Sequence, residues 1–311
     1  MSRSATIVGL NFGDELGQAV VDRILERYFS SSQSSCHVAT AKHHLTLEDS
    51  NRTQGKRCFF AVGSIFHYTQ PGDIIWGIGM KMEPNKRNVI SSPFVDLDIY
   101  AVRGPKTNAA LPAKYAKSIN MTFGDPGFLL PTLFPELLLH QSPGNDTNAT
   151  MDMESSEFCF VYHAKDAGRI YQHFANQDNS EENSNKVLLI DPLQPWQDIL
   201  KILQTCKRVA ASSLHGIILA DSMGIPSLWF QFARGKYSSY SEGYFKYQDY
   251  FLSIGREGAN KMAPIVDTNQ VFDISRYSAP LPTQDREAIA NRLLASFPYN
   301  EFVKTKTRSS D

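Results

Sequence analysis

Hydrophobic positions along the chain fall into short continuous runs, and these alternate with segments where apolar residues recur at helical spacing. Residues 5–10 read ATIVGL, an unbroken apolar run of the kind a parallel strand shows when both its faces are covered. Asn11-Phe12-Gly13-Asp14 then makes a polar turn, after which Leu16, Ala19, Val20, Ile24, Leu25 and Phe29 mark one face of an amphipathic helix. Further short runs at 37–41, 58–62, 74–78 and 99–102 each close on glycine, a polar residue or arginine. This is the rhythm of an open α/β sheet.

Residues 140–157 (HQSPGNDTNATMDMESSE) lose the apolar pattern and predict a linker. Beyond it the alternation restarts. Strands are expected at 158–162, 187–190, 208–211 and 226–230, and helices at 164–176, 196–206, 214–223 and 284–297. The division predicted is an N-terminal Rossmann-like domain over 1–140, the linker 141–157, and a C-terminal Rossmann-like domain over 158–311 that closes on a helix and a tail.

Composition narrows the function. The 311 residues, 42% hydrophobic with a net charge of −1, can bury two sizeable cores. Charge so balanced predicts no surface for tracking nucleic-acid phosphates and leaves room for a small anionic substrate. Cys36, Cys58, Cys159 and Cys206 lack C-x-x-C spacing, so they read as buried thiols in a reducing, cytoplasmic setting. No apolar run is long enough to span a bilayer, and no metal-ligand spacing is present.

The most informative stretch is Ser212-Ser213-Leu214-His215-Gly216, where a buried strand passes into a helix. The first turn of such a helix offers unpaired N–H groups and partial positive charge to a carboxylate or phosphate. His215 there could bind an anion or deliver a proton. A plain helix cap by Ser213 with a packed histidine fits the same letters. Asp14 stands in the matching place in the first domain, as a base toward a hydroxyl or as a helix cap. Arg103, at the end of the 99–102 run, carries a planar fork suited to a carboxylate or phosphate, or to an ion pair with a nearby acid. His163 closes the 158–162 strand, and Lys246 sits in an aromatic segment that reads as core or as a sugar-stacking surface. Gly9, Gly13 and Gly17 do not give the dinucleotide fingerprint, which disfavours a nicotinamide cofactor.

Taken in order, N-x-G-D at 11–14, Gly63-Ser64-Ile65, Trp76-Gly77-Ile78-Gly79, Val102-Arg103-Gly104-Pro105, Gly124-Asp125-Pro126 and Ser212-Ser213-Leu214-His215-Gly216 resemble the polysaccharide pyruvyltransferase family, and Phe245-Lys246-Tyr247-Gln248-Asp249-Tyr250-Phe251 with Ser253-Ile254-Gly255 resembles its exopolysaccharide-type branch. The resemblance implies two facing Rossmann-like domains in a GT-B-like arrangement. It also implies transfer of pyruvate from phosphoenolpyruvate to two hydroxyls of one sugar, forming a ketal and releasing phosphate. Asp14, Arg103 and His215 match the positions implied to be catalytic. Ser64, His163, Ser213, Leu214, Gly216 and Lys246 match positions implied to bind substrate, with Tyr162 standing where the family has proline before the histidine. No cofactor is implied beyond the donor itself, and the saccharide acceptor is left open between lipid-linked, nucleotide-linked and polymeric forms. The rival readings are a nucleotide-sugar glycosyltransferase of the same architecture and a non-catalytic anion- or saccharide-binding module.

Overall fold

The computed structural model describes residues 6–8, 12–28, 58–83, 96–112, 115, 121–138, 155–174, 187–232, 244–256, 258, 264 and 268–303, with backbone alone for 6–8, 12–15, 28, 268 and 303. The expected run at 37–41 and the tail after 303 lie outside the described residues. The chain forms two compact units: Met1–Leu129, Tyr244–Met262 and Ala288–Asp311 make the first, and Leu130–Gly243 with Ala263–Glu287 the second.

In the first unit, β1 (Thr6–Val8), β2 (Cys58–Phe60), β3 (Ile74–Trp76), β4 (Asp98–Val102) and β5 (Thr122–Phe123) form one parallel sheet in that order. Helix α1 (Phe12–Tyr28) follows β1, and α2 (Pro105–Ala110) follows β4. The continuous apolar runs in β2 and β3 are wholly buried, as strands covered on both faces require. Leu16, Val20 and Ile24, one turn apart on α1, are buried with Val21 and Leu25 beside them, so the helical spacing seen in the sequence is the packing stripe.

The second unit holds α3 (Leu130–Leu133), β6 (Phe158–Val161), α4 (Ala167–Phe174), β7 (Val187–Ile190), α5 (Trp196–Leu203), β8 (Val209–Ala211), α6 (Leu214–Met223) and β9 (Ser227–Trp229). Its parallel sheet has the order β7-β6-β8-β9. Side chains alternate across it. Phe160, Ala210, Leu228, Phe230 and Phe232 share one face and pack with Ile170 of α4 and with Val271. The other face lies under α6, which approaches so closely at Gly216 that an added Cβ would stand 2.7 Å from Val161 Cβ and 3.0 Å from Ala211 Cβ. Only glycine allows that contact. The helix ends at Gly224, whose φ of 71° supplies the left-handed cap.

After β9 come α7 (Phe245–Ser253) and α8 (Thr283–Ala295). Here the structure departs from the expected division, which placed everything after 158 in one domain. Residues 244–262 return to the first unit through contacts of α7 with α2, and 288–311 return through the Trp76 indole. That N–H donates to Ser296 Oγ at 3.0 Å, and Phe297 meets the ring edge-on at 5.0 Å.

The cysteines also differ from expectation. Cys159 and Cys206, predicted to be free thiols, are joined in a disulfide with their Cα atoms 5.8 Å apart. The backbone brings them together through a bridge between Ser156 and Cys206 at the foot of β6. Such bonds persist in oxidising compartments rather than in the reducing cytosol the sequence suggested. Cys58 is buried and takes no part in the disulfide. Among the described residues no helix is long and apolar enough to cross a membrane.

Candidate active site

Each unit gathers its polar residues at the carboxyl edge of its own sheet, and the second unit does so at a topological switch. From the order β7-β6-β8-β9, the chain leaves β6 toward β7 and leaves β8 toward β9. The two exits diverge and open a crevice between neighbouring strands, where open α/β sheets bind ligands. His163 follows β6 and Ser212-Ser213-Leu214-His215 follows β8, so both histidine segments line this gap. They are tied together: the His163 N–H donates to Ser212 Oγ at 2.9 Å. His163 Nδ1 accepts from the Lys165 N–H at 3.2 Å, which orients its ring.

Ser213 is the N-cap of α6, yet its side chain makes no capping hydrogen bond. The first-turn N–H groups thus keep the partial positive charge that a capping oxygen would have offset. From Ala211 to Ser222 every residue is buried except His215, which stays partly exposed. On an otherwise sunken helix, His215 is the residue left partly accessible in the first turn, with its Nε2 buried. The packing explains the rest of the motif, since Leu214 and Ile217 are core and Gly216 is fixed by the approach to the sheet.

In the first unit the cluster centres on Arg103, just past β4. Its guanidinium is fully buried. Nη1 donates to Ser64 Oγ at 2.6 Å, Nη2 donates to the Met80 carbonyl at 2.6 Å, and Nη2 stands 3.1 Å from Asp249 Oδ2 in a wholly buried ion pair. Asp249, on α7, also accepts from the Thr107 N–H at 2.9 Å and the Thr107 hydroxyl at 2.6 Å. Gly79 lies against the Arg103 guanidinium and Gly104 against the Asp249 backbone, places where a side chain would collide. Gly79 of the W-G-I-G segment and Gly104 of the V-R-G-P segment are therefore walls of one buried ion pair.

A model of the family described as polysaccharide pyruvyl transferase matches residues 11–231, which include both clusters apart from α7. The chain belongs to this family. An uncharacterized protein of Acanthamoeba polyphaga mimivirus is 27% identical to it over 243 residues, covering 75% of this chain and 73% of that protein. A solved structure of a functionally uncharacterized protein from Klebsiella pneumoniae aligns with a TM-score of 0.44 at 12% identity, covering 86% of this chain and 94% of that one.

For a polysaccharide pyruvyl transferase, the placement of the expected residues is uneven. Ser213, Leu214, His215, Gly216 and His163 come together in the second unit as one constellation. Arg103 and Ser64 come together in the first, but the Arg103 fork holds Asp249 and Met80 internally, whereas the sequence reading offered it to substrate. Ser64 is partly exposed and its Oγ accepts from Arg103 Nη1. Lys246 is buried at the start of α7, its ammonium 5.1 Å from the Tyr247 ring centroid. Asp14 is the third residue of α1, inside the helix rather than at its cap, and its side chain lies outside the described residues. Its role rests on the family resemblance. No cluster of three or more metal-ligating side chains occurs among the described residues.

Asp249 and Asp125 complete the Arg103 cluster, and neither was singled out from the sequence. Asp125 stood in the quoted Gly124-Asp125-Pro126 segment; Asp249 was hidden among the aromatics of 244–251. Burial pushes the Asp125 carboxyl up to about 7, against the Gly127 N–H and Arg103, which favour its charged form, and with Asp249 adding to the rise. The folded protein therefore holds this proton more tightly than the unfolded chain does. Stability falls as pH rises from about 4 toward 7, and the full cost is present above that. Asp125→Asn keeps the oxygen that accepts from the Gly127 N–H at 2.9 Å and removes the charge. It should match the wild type near pH 4 and exceed it at pH 8 by a few kcal/mol, on the order of the pKa displacement. Melting curves across that range check this; a pH-independent difference would contradict it.

Proposed function

We propose that this enzyme transfers pyruvate from phosphoenolpyruvate to two hydroxyls of one sugar in a saccharide acceptor, making a cyclic ketal and releasing phosphate. The observation that carries the reading is the start of α6. It lies at the switch point, Ser213 makes no side-chain capping hydrogen bond to its first turn, and His215 is the one residue of the 211–222 stretch left partly exposed. A doubly anionic donor suits such a seat. The family assignment supplies the class of reaction, pyruvyl transfer to a polysaccharide.

In this account the N–H groups of Leu214, His215 and Gly216 hold the carboxylate or phosphate, and the imidazolium of His215 delivers a proton to the donor's C3 methylene. The C2 carbon becomes electrophilic, and a first sugar hydroxyl attacks it and passes its proton to Asp14, the base the resemblance implies. Phosphate then leaves with the C2–O bond electrons, and the second hydroxyl closes the ring, its proton carried away on the departing phosphate. Histidine suits the proton transfer because its ordinary titration falls near neutral pH. His163 positions the Ser212 segment through its backbone N–H. We assign Arg103 a positioning role, fixing Ser64 and α7, because its terminal nitrogens are committed inside the first unit.

Incubation with phosphoenolpyruvate and a panel of galactosides, glucosides and mannosides tests the reading. The expected result is inorganic phosphate together with an acceptor heavier by one pyruvate less one water. Turnover with a nucleotide sugar instead would establish the glycosyltransferase reading. Binding of donor and acceptor without phosphate release would establish the binding-module reading.

A further inference from the structure

Gln231 is fully buried, and among the described residues neither polar atom of its side-chain amide has a hydrogen-bond partner. A primary amide carries two donor hydrogens and an acceptor oxygen, and buried polar groups left so are rare enough that each one calls for a reason. The reason is in where the residue sits. The β8–β9 register pairs Val209 with Ser227, Ala210 with Leu228 and Ala211 with Trp229. The Phe230 N–H then donates to the Ala211 carbonyl at 2.9 Å, which carries the pairing one step past the strand. Continued, that register sets Gln231 level with Ser213, the cap of α6.

The pleat fixes the face. Leu228, Phe230 and Phe232 pack together on one side, with the Phe230 and Phe232 rings 5.0 Å apart, so the alternation persists through Phe232. Gln231 therefore projects to the opposite side, the one that carries Ala211 and Val161 and is covered by α6. A buried amide with every bond unmade thus stands beside a helix N-terminus whose cap hydroxyl is also uncommitted to capping.

We propose that Gln231 is a substrate-binding residue of this seat: its Nε2–H donates to an anionic oxygen of the bound three-carbon donor, and its Oε1 accepts from a hydroxyl of the incoming sugar. This rests on the reading of α6 as the phosphoenolpyruvate seat and adds a residue that touches both substrates. The side chain is costly to the empty protein and useful once the seat is filled. A near-isosteric apolar residue would serve folding better, since it buries no unmet donor or acceptor.

That opposition between stability and binding is the test. Gln231→Met keeps the shape without the amide, and Gln231→Glu keeps the shape but puts a carboxylate against the anion. Calorimetric titration of each with phosphoenolpyruvate alone, beside melting curves, should show Gln231→Met melting at or above the wild-type temperature. It should bind phosphoenolpyruvate about tenfold or more weakly, as for a lost hydrogen bond to a charged group. Gln231→Glu should bind more weakly still. In turnover, the KM for the sugar acceptor should rise with that for the donor. Unchanged affinity in Gln231→Met would overturn the assignment and leave the seat intact, as would a lower melting temperature, which marks a structural amide. Absence of phosphoenolpyruvate binding by the wild type would overturn the seat itself, and Gln231 with it.

Discussion

Replacing His215 by alanine is expected to lower kcat by about 10²–10⁴-fold, the usual worth of a positioned proton donor. Its affinity for phosphoenolpyruvate should change by only a few-fold. The two effects separate because the N–H groups of the first turn belong to the backbone and survive the substitution, whereas the proton source does not. The fold should tolerate the change. His215 is the partly exposed residue in an otherwise buried helical stretch, and alanine is the better helix former. A melting temperature within about 2 °C of the wild type is expected. Near-normal turnover in a folded His215→Ala protein would remove the histidine from the chemistry.

The second large effect is on folding. Asp249→Ala should destabilise the protein by about 3–5 kcal/mol, because it leaves the Arg103 guanidinium buried without its counter-charge. It also takes away the acceptor of the Thr107 N–H and hydroxyl. The remedy follows from the same physics. Arg103→Met removes the stranded charge, so the double variant Arg103→Met with Asp249→Ala should be more stable than the sum of the two single losses. Asp125 supplies an internal readout. Asp249 raises its proton affinity and Arg103 lowers it, so loss of Asp249 alone should move the pH-dependent part of the stability curve to lower pH. Urea denaturation of the three variants at two pH values measures both effects; additive losses would show that the pair is not coupled.

The sequence showed the second unit clearly. Its strands are continuous apolar runs, its helix start is written out in Ser212-Ser213-Leu214-His215-Gly216, and the structure sets these letters at the sheet's switch point. The physical reason is locality: capping, burial and the close approach of Gly216 to Val161 all involve residues within one strand-turn-helix unit or its immediate neighbours. The first unit's cluster was less visible because its partners are distant. Arg103 and Asp249 lie 146 positions apart, and nothing in either segment names the other. The arginine's fork was read as facing a ligand, though an ion pair with a protein acid fitted the same letters. The domain division erred for the same reason, since Trp76 draws Ser296 and Phe297 back to the first unit. Gln231 was invisible to pattern reading. Its significance is the absence of partners around a buried amide, and only coordinates show that.

The decisive measurement is titration of isotope-labelled protein with phosphoenolpyruvate, followed through the backbone amide signals. Saturable shifts concentrated at Leu214, His215 and Gly216, and lost in competition with inorganic phosphate at high concentration, are the predicted result. Saturable shifts that leave these three amides unmoved would place the donor elsewhere and contradict the account.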